Sequence, residues 1–178
     1  MVFAVYGSAL LQDDEIALTP ADWRAIAIAS IAALVVGLFE ELLFRGALLH
    51  GLRSKVPAVA AVLLAAVIFG LFHLVNWIGG QPLDITVAQV IGAAGGGVFY
   101  GALVLWTGSL WPSIFMHGLW DAAVTLDQTI LDAEGSTADP AQSAPALDPW
   151  SALLSPELIY GLLLLGLWGW RQRHRSKT

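Results

Sequence analysis

The chain has 178 residues, of which 57% are hydrophobic and 12% are charged, and its formal net charge is −6. Soluble domains carry about 25% charged residues, so this composition excludes an ordinary soluble domain and predicts an integral membrane protein. The absence of cysteine excludes a disulfide framework and thiolate metal ligands, and the acidic balance gives no reason to expect a nucleic-acid partner.

Five apolar runs come close to the roughly 20 residues that a transmembrane helix needs, so we predict an all-α polytopic bundle of about five spanning helices. The predicted spans cover about residues 21–52, 57–77, 85–106, 110–130 and 152–170. Thr19 is expected to cap the first helix, with Pro20 at its first position. The opening segment 1–7 is too short to span and is interpreted as a remnant or half-helix. The Pro-, Ser- and Ala-rich stretch at about 131–151 predicts an exposed loop.

Basic residues are concentrated on one side of these spans. Six of the eight lie between the first two spans or after the fifth: Arg53, Lys55, Arg171, Arg173, Arg175 and Lys177. The positive-inside rule makes that side cytoplasmic, so the C-terminus is predicted to be cytoplasmic and the 131–151 loop extracytoplasmic. We interpret residues 1–178 as one transmembrane domain, with a motif core at about 25–125 and a basic tail at 171–178.

The third span contains two overlapping Gly-x-x-x-Gly pairs, formed by Gly92, Gly96, Gly97 and Gly101. This pattern predicts close helix packing. A phosphate-binding loop would need a preceding strand and a polar setting, and neither is indicated. The pattern leaves open whether the partner helix belongs to the same chain or to a second copy in a homo-oligomer.

The first span holds two acids and a base inside an otherwise apolar stretch. Glu41 and Arg45 are four residues apart and share a helical face, in the better order for an ion pair, whereas Glu40 points about 100° away. We expect Arg45 to hold Glu41 while Glu40 stays free to act as a general base. A solvated helix end is the alternative, but the flanking residues leave no polar face. Ionisable groups in such a setting mark a functional site by default.

Imidazoles lie on two further spans. His73 follows Phe69 by four residues on the second span and Asn76 continues the same face, while His117 and Asp121 are four residues apart on the fourth. A lone histidine in an apolar helix is more often a packing residue than a ligand, so each signal alone is weak.

The positions of these residues along their helices strengthen the prediction that they form one site. At 1.5 Å per residue, Glu40, His73 and Asp121 lie roughly 17 to 24 Å from the predicted cytoplasmic ends of their helices, and His117 roughly 10 Å. Helix tilt and uncertain helix starts can absorb this spread, so we expect three spans to deliver these groups to one cavity. His50 lies at a helix end and is interpreted as an ordinary surface group.

Three motifs in this order resemble those of the intramembrane CAAX-protease and bacteriocin-processing family, also called the Abi or type II CAAX prenyl endopeptidase family. The motifs are Glu40-Glu41-x-x-x-Arg45, Phe69-x-x-x-His73 and His117-x-x-x-Asp121. The resemblance covers about residues 25–125. It implies a helical membrane bundle that cleaves a membrane-associated protein or peptide, of the prenylated CAAX type or a bacteriocin leader, within the lipid bilayer.

The resemblance also implies roles for the site residues. Glu40 and His73 would activate a water molecule, and Glu41 and Arg45 would hold the site together, with Phe69 and Asn76 in support. His117 and Asp121 would stabilise the oxyanion. The family's third motif often ends in asparagine, which can donate a hydrogen bond, whereas an ionised Asp121 can only accept one.

Zinc is a candidate cofactor, because two histidines and several carboxylates could hold it with an open water position. The candidate ligands are Glu40, His73, His117 and Asp121. No His-Glu-x-x-His segment is present, and the sequence leaves a metal-dependent and a glutamate-dependent mechanism open.

The sequence is also compatible with two further classes of function. A non-catalytic immunity or peptide-binding factor could use the same polar cluster to recognise a peptide tail. An ion- or proton-coupled transporter could use it as a relay, but the polar residues cluster in one region and no inverted repeat is visible.

Overall fold

The computed structural model describes residues 19–133 and 153–175, which form five helices. Helix α1 covers Pro20–Arg53, α2 Ala58–Ile78, α3 Leu83–Thr107, α4 Trp111–Ala133 and α5 Pro156–Arg175. No strand occurs in these two stretches, which confirms the predicted all-α bundle. The predicted N-terminal segment and most of the predicted 131–151 loop lie outside the described residues, although residues 131–133 belong to α4.

Three of the helices are long and apolar enough to cross a membrane, namely α1, α2 and α3. Large apolar side chains on their outer faces are exposed, as expected for surfaces that meet lipid. The described helices α4 and α5 do not meet the same criterion, because they carry more polar and charged residues. The predicted total of five spans and the predicted orientation therefore stay predictions.

Helix α1 begins as the sequence predicts. Thr19 Oγ1 accepts a hydrogen bond from the Asp22 backbone N–H at 3.3 Å, and Asp22 Oδ2 accepts one from the Thr19 N–H at 2.7 Å. This reciprocal pair is a capping box, and Pro20 occupies the first turn where its missing N–H costs nothing.

Two local departures from α-helical geometry lie beside the polar residues, and neither was predicted. Within α1, the segment Leu42–Leu49 is a π-helix that begins directly after Glu41. Within α2, the α-helix Ala58–Phe72 ends at His73, whose N–H donates to the Gly70 carbonyl at 3.0 Å before Leu74–Ile78 continues the helix. Wider and tighter turns of this kind change the direction in which nearby side chains point.

The glycines of α3 provide its contact with α2. A Cβ at Gly97 would lie 2.9 Å from Ala66, and one at Gly101 would lie 2.8 Å from Val62. The prediction of close helix packing is confirmed at these two positions, and the partner helix there belongs to the same chain. Gly92 has open space around it, so a homo-oligomer through that part of the face stays a prediction.

A second close approach brings α1 against α4. A Cβ at Gly37 would lie 3.0 Å from the Gly118 backbone nitrogen. Gly37 is three residues before Glu40, and Gly118 directly follows His117. This crossing therefore sets the carboxylates of α1 beside the imidazole of α4.

Candidate active site

The buried ion pair of α1 is the centre of the polar cluster. Arg45 Nη1 donates to Glu41 Oε1 at 2.7 Å, and the two residues are 3% and 0% exposed. The ion pair predicted from their spacing is thus confirmed, and the alternative of a solvated helix end is wrong. A buried charge without its partner costs several kcal/mol, so each member depends on the other.

His117 joins this pair from α4. Its Nδ1 lies 2.9 Å from Glu41 Oε1, the same oxygen that Arg45 uses. A carboxylate can only accept a hydrogen bond, so Nδ1–H must donate. Glu41 therefore fixes the orientation of the imidazole and directs Nε2 away from the ion pair.

Two carboxylates face that Nε2 atom. Glu40 Oε2 lies 3.5 Å from it and Asp121 Oδ2 lies 3.6 Å from it. These separations are longer than direct hydrogen bonds, but a shift of a few tenths of an ångström closes them. The side chains of Glu40 and Asp121 are 13% and 27% exposed, against 0% for Glu41. The exposed edge of the cluster is thus formed by Glu40 and Asp121.

Aromatic rings surround the imidazole of His117. The Tyr100 ring stacks on it at 4.8 Å between centroids with an interplanar angle of 18°, and the Phe69 ring meets it edge-on at 5.7 Å. The Arg45 guanidinium lies 4.3 Å from the centroid of Phe69 and 5.2 Å from that of Tyr100. Tyr100 was not predicted as a site residue, although a phenol in an apolar span, one residue before a packing glycine, is a usable signal.

His73 is connected to this cluster through the ring of Phe69. Its Nδ1 is 3.0 Å from the Phe69 carbonyl oxygen, and its ring meets the Phe69 ring edge-on at 5.0 Å. Since a carbonyl accepts, Nδ1 carries the proton and a neutral His73 presents a lone pair at Nε2. None of the polar contacts of the described residues joins His73 directly to Glu40, so the shared Phe69 ring connects the two imidazoles.

Asn76 makes a hydrogen bond between two helices. Its Nδ2 donates to Gln89 Oε1 at 2.8 Å and thereby ties α2 to α3. The supporting role of Asn76 in the candidate active site stays a prediction.

Among the residues that the structure describes, two buried side-chain atoms lack a hydrogen-bond partner. They are Glu41 Oε2 and Arg45 Nη2, which belong to the same ion pair. A buried donor or acceptor left unpaired costs about 1–3 kcal/mol. Each atom is therefore a place where a bound group could add a favourable contact.

The fit of a metal ion can be tested on the candidate ligands. Among the described residues, no group of three or more His, Asp or Glu side chains is arranged to hold one. Glu40 Oε2 and Asp121 Oδ2 approach His117 Nε2 at 3.5 and 3.6 Å, and a catalytic zinc takes three such protein ligands. Zinc as a cofactor therefore stays a prediction from the sequence.

The fold and the cluster together define an integral membrane protein with a buried polar site between its helices. Residues 22–123 match the sequence model of the family described as type II CAAX prenyl endopeptidase Rce1-like. This match covers more than half of the chain, so the chain belongs to that family, as the three motifs predicted. No curated protein and no solved structure is significantly similar to the chain. The family is one of intramembrane proteases.

Proposed function

We propose that this chain hydrolyses a peptide bond of a membrane-anchored protein or peptide, with Glu40 as the general base. The observation that carries the proposal is the approach of Glu40 to His117, at 3.5 Å, beside the buried Glu41–Arg45 pair. Family membership supports protease chemistry, and the geometry of these groups supports the assignment of roles.

In the proposed first step, Glu40 takes a proton from a water molecule, and the water oxygen attacks the carbonyl carbon of the scissile bond. The carbonyl oxygen becomes a tetrahedral oxyanion. Collapse of this intermediate re-forms the carbonyl and breaks the C–N bond, while the proton held by Glu40 passes to the leaving amine. One water is consumed, and one carboxylate and one amine are formed.

His117 is the proposed oxyanion donor. In its protonated form it donates Nδ1–H to Glu41 and Nε2–H to the developing negative charge. Arg45 holds the Glu41 carboxylate in place, and the stacked ring of Tyr100 limits rotation of the imidazole. Arg45 and Tyr100 are positioning residues in this scheme, because neither touches the reacting atoms.

His73 is proposed to assist Glu40 in orienting the attacking water. Its hydrogen bond to the Phe69 carbonyl leaves the Nε2 lone pair as an acceptor for a water proton. Asp121 Oδ2 lies 3.6 Å from His117 Nε2, beyond direct hydrogen-bond distance. We propose that Asp121 helps to orient the imidazole of His117, while the single Nε2–H of the protonated ring donates to the oxyanion.

The proposed mechanism is of the glutamate type. A panel of lipidated and unlipidated peptide tails, incubated with the purified protein with and without a chelator, tests it together with the substrate class. We expect wild type to cleave at least one tail, with an unchanged rate in the chelator. Loss of cleavage in the chelator, with recovery on adding zinc, would assign the water activation to a metal instead.

A matched pair of variants tests the role of Glu40. Glu40→Gln keeps the shape of the side chain but removes the base, and we expect cleavage to fall at least about 10²-fold, the usual scale for a lost general base. Asp84→Asn makes the same change at an exposed acid outside the cluster and should keep wild-type activity. Peptide binding without turnover by wild type would favour the non-catalytic factor, and ion-driven flux in vesicles would favour the transporter.

A further inference from the structure

Basic residues are concentrated in the segments where α1 leads into α2 and where α5 ends. Six of the eight Lys and Arg residues lie in or next to these segments of the sequence: Arg53, Lys55, Arg171, Arg173, Arg175 and Lys177. Those that the structure describes are exposed. The sequence has no Asp or Glu between 42 and 83 or between 158 and 178. The segments that flank these basic residues therefore supply no carboxylate side chain to neutralise them.

Packing of α5 against α2 brings the two basic segments together. A Cβ at Gly169 would lie 3.7 Å from Val59 Cγ2, so α5 lies against the first turn of α2. Lys55 is four residues before Val59, and Arg171 is two residues after Gly169. The fold thus joins the charges of α5 with the charge of the α1–α2 turn in one basic surface, formed by Lys55, Arg171, Arg173 and Arg175.

Two indole N–H groups hold α5 on α3 beside the basic surface. Trp106 Nε1 donates to the Leu164 carbonyl oxygen at 2.8 Å, and Trp168 Nε1 donates to the Leu105 carbonyl oxygen at 2.9 Å. The Arg171 guanidinium lies 5.6 Å from the centroid of the Trp106 ring. An arginine held over an aromatic ring still presents its N–H donors at its edge, so Arg171 is oriented in advance for an anionic acceptor.

The basic surface lies at the depth where a bilayer has its headgroups. Trp106 is in the last turn of α3, and Lys55 lies three residues before the first residue of α2, so both are at the ends of helices that are long and apolar enough to span. Tryptophan is enriched at the membrane–water interface, and Trp168 and Trp170 follow at the same end of α5. Clusters of Lys and Arg beside the ends of membrane helices are typical of sites for anionic lipids.

We propose that the basic surface binds the headgroup of an anionic phospholipid, with Arg171 as its main contact and Lys55 as a second cation. A free phosphate ion offers similar charge but no acyl chains. Leu167, one helical turn before Arg171 on the same face, is 55% exposed and Trp170 is 63% exposed. These apolar side chains beside Arg171 offer a contact that acyl chains can use and a free phosphate cannot, so the ligand is a lipid.

Native mass spectrometry of the purified full chain in a neutral detergent measures the affinity for lipid directly. The probes are phosphatidylglycerol and phosphatidylcholine with the same acyl chains. We expect phosphatidylglycerol to bind at least about tenfold more tightly, because its headgroup carries a net negative charge and that of phosphatidylcholine does not. Inorganic phosphate at the concentration of the lipid should not displace it.

Variants localise the binding. Lys55→Gln combined with Arg171→Gln should bring the two lipids to nearly equal affinity. Lys55→Gln alone changes only an exposed turn residue and should lower the affinity for phosphatidylglycerol at least about threefold. Arg24→Gln is the matched control, because it removes an exposed arginine from the opposite end of α1, and it should keep the wild-type preference.

Thermal unfolding gives a second readout. A ligand that binds only the folded state stabilises it by mass action, so saturating phosphatidylglycerol should raise the wild-type Tm at least about 3 °C above its value in phosphatidylcholine.

Three results would each overturn the proposal: equal affinities of wild type for the two lipids, a preference that survives the double variant, or an unchanged Tm in phosphatidylglycerol. Displacement of the lipid by inorganic phosphate would overturn it in favour of a soluble phosphate ligand. None of these measurements depends on turnover, so the proposal and the proposed protease function stand or fall separately.

Discussion

Removal of Arg45 from the buried pair is expected to destabilise the protein strongly. In Arg45→Met the Glu41 carboxylate remains at 0% exposure and loses the donor that lies 2.7 Å away. Breaking a buried pair from one side costs about 3–5 kcal/mol, because the remaining charge is uncompensated. The free energy of unfolding is measured by titrating the purified protein in mixed micelles with sodium dodecyl sulfate.

The double variant Glu41→Gln, Arg45→Met tests the reason for this loss. Its amide is neutral and still offers an oxygen to His117 Nδ1–H, so the uncompensated charge is gone. We expect the double variant to lose less free energy of unfolding than Glu41→Gln and Arg45→Met lose in total, by about 1–3 kcal/mol. Cleavage should stay low, because the imidazole of His117 is no longer held by a carboxylate.

Arg24→Met is the matched control, since Arg24 is an exposed arginine of the same helix. Its cost should stay within about 0.5 kcal/mol. The reasoning is refuted if Arg45→Met costs no more than Arg24→Met, or if the losses of the two single variants simply add in the double variant.

Three further outcomes follow from the packing and the chemistry. Gly37→Leu should push α1 away from the Gly118 backbone and lower kcat at least about tenfold in a folded protein, as misplacement of catalytic groups does. Gly166→Leu, at a position with open space around it, should leave kcat unchanged. Equal losses of kcat in Gly37→Leu and Gly166→Leu would contradict the role of the crossing between α1 and α4. Tyr100→Phe should keep the ring stacked on His117 and a near-normal kcat, whereas Tyr100→Leu should lose the stack and have a lower kcat. A normal kcat in Tyr100→Leu would contradict the positioning role of Tyr100. A metal chelator should leave the initial cleavage rate unchanged, measured before and after dialysis.

Local chemistry made much of the fold predictable. The capping box at Thr19 and the four-residue spacing of Glu41 and Arg45 are contacts within one helix, so their geometry follows from helical periodicity alone. The packing of Gly97 on α2 was predictable as a close approach, because only small residues allow two backbones to meet, but its partner was not.

The arrangement of the site depended on contacts that no local pattern encodes. His117 and Glu41 are 76 residues apart, and their hydrogen bond follows from the crossing at Gly37. Spacing along α4 correctly put Asp121 beside His117, but it could not show that Glu41 occupies the other imidazole nitrogen. The link of His73 to the cluster through Phe69 also requires the relative placement of α2 and α4.

The central claim is that Glu40 drives hydrolysis of a peptide bond inside the membrane, and mass spectrometry of the reaction products in proteoliposomes tests it most directly. With a farnesylated C-a-a-X peptide in ¹⁸O-labelled water, we predict that wild type and Asp84→Asn release a product with one ¹⁸O atom in its new carboxylate. Glu40→Gln, folded as judged by detergent titration, should leave the peptide intact. Labelled product from Glu40→Gln at the wild-type rate would contradict the account.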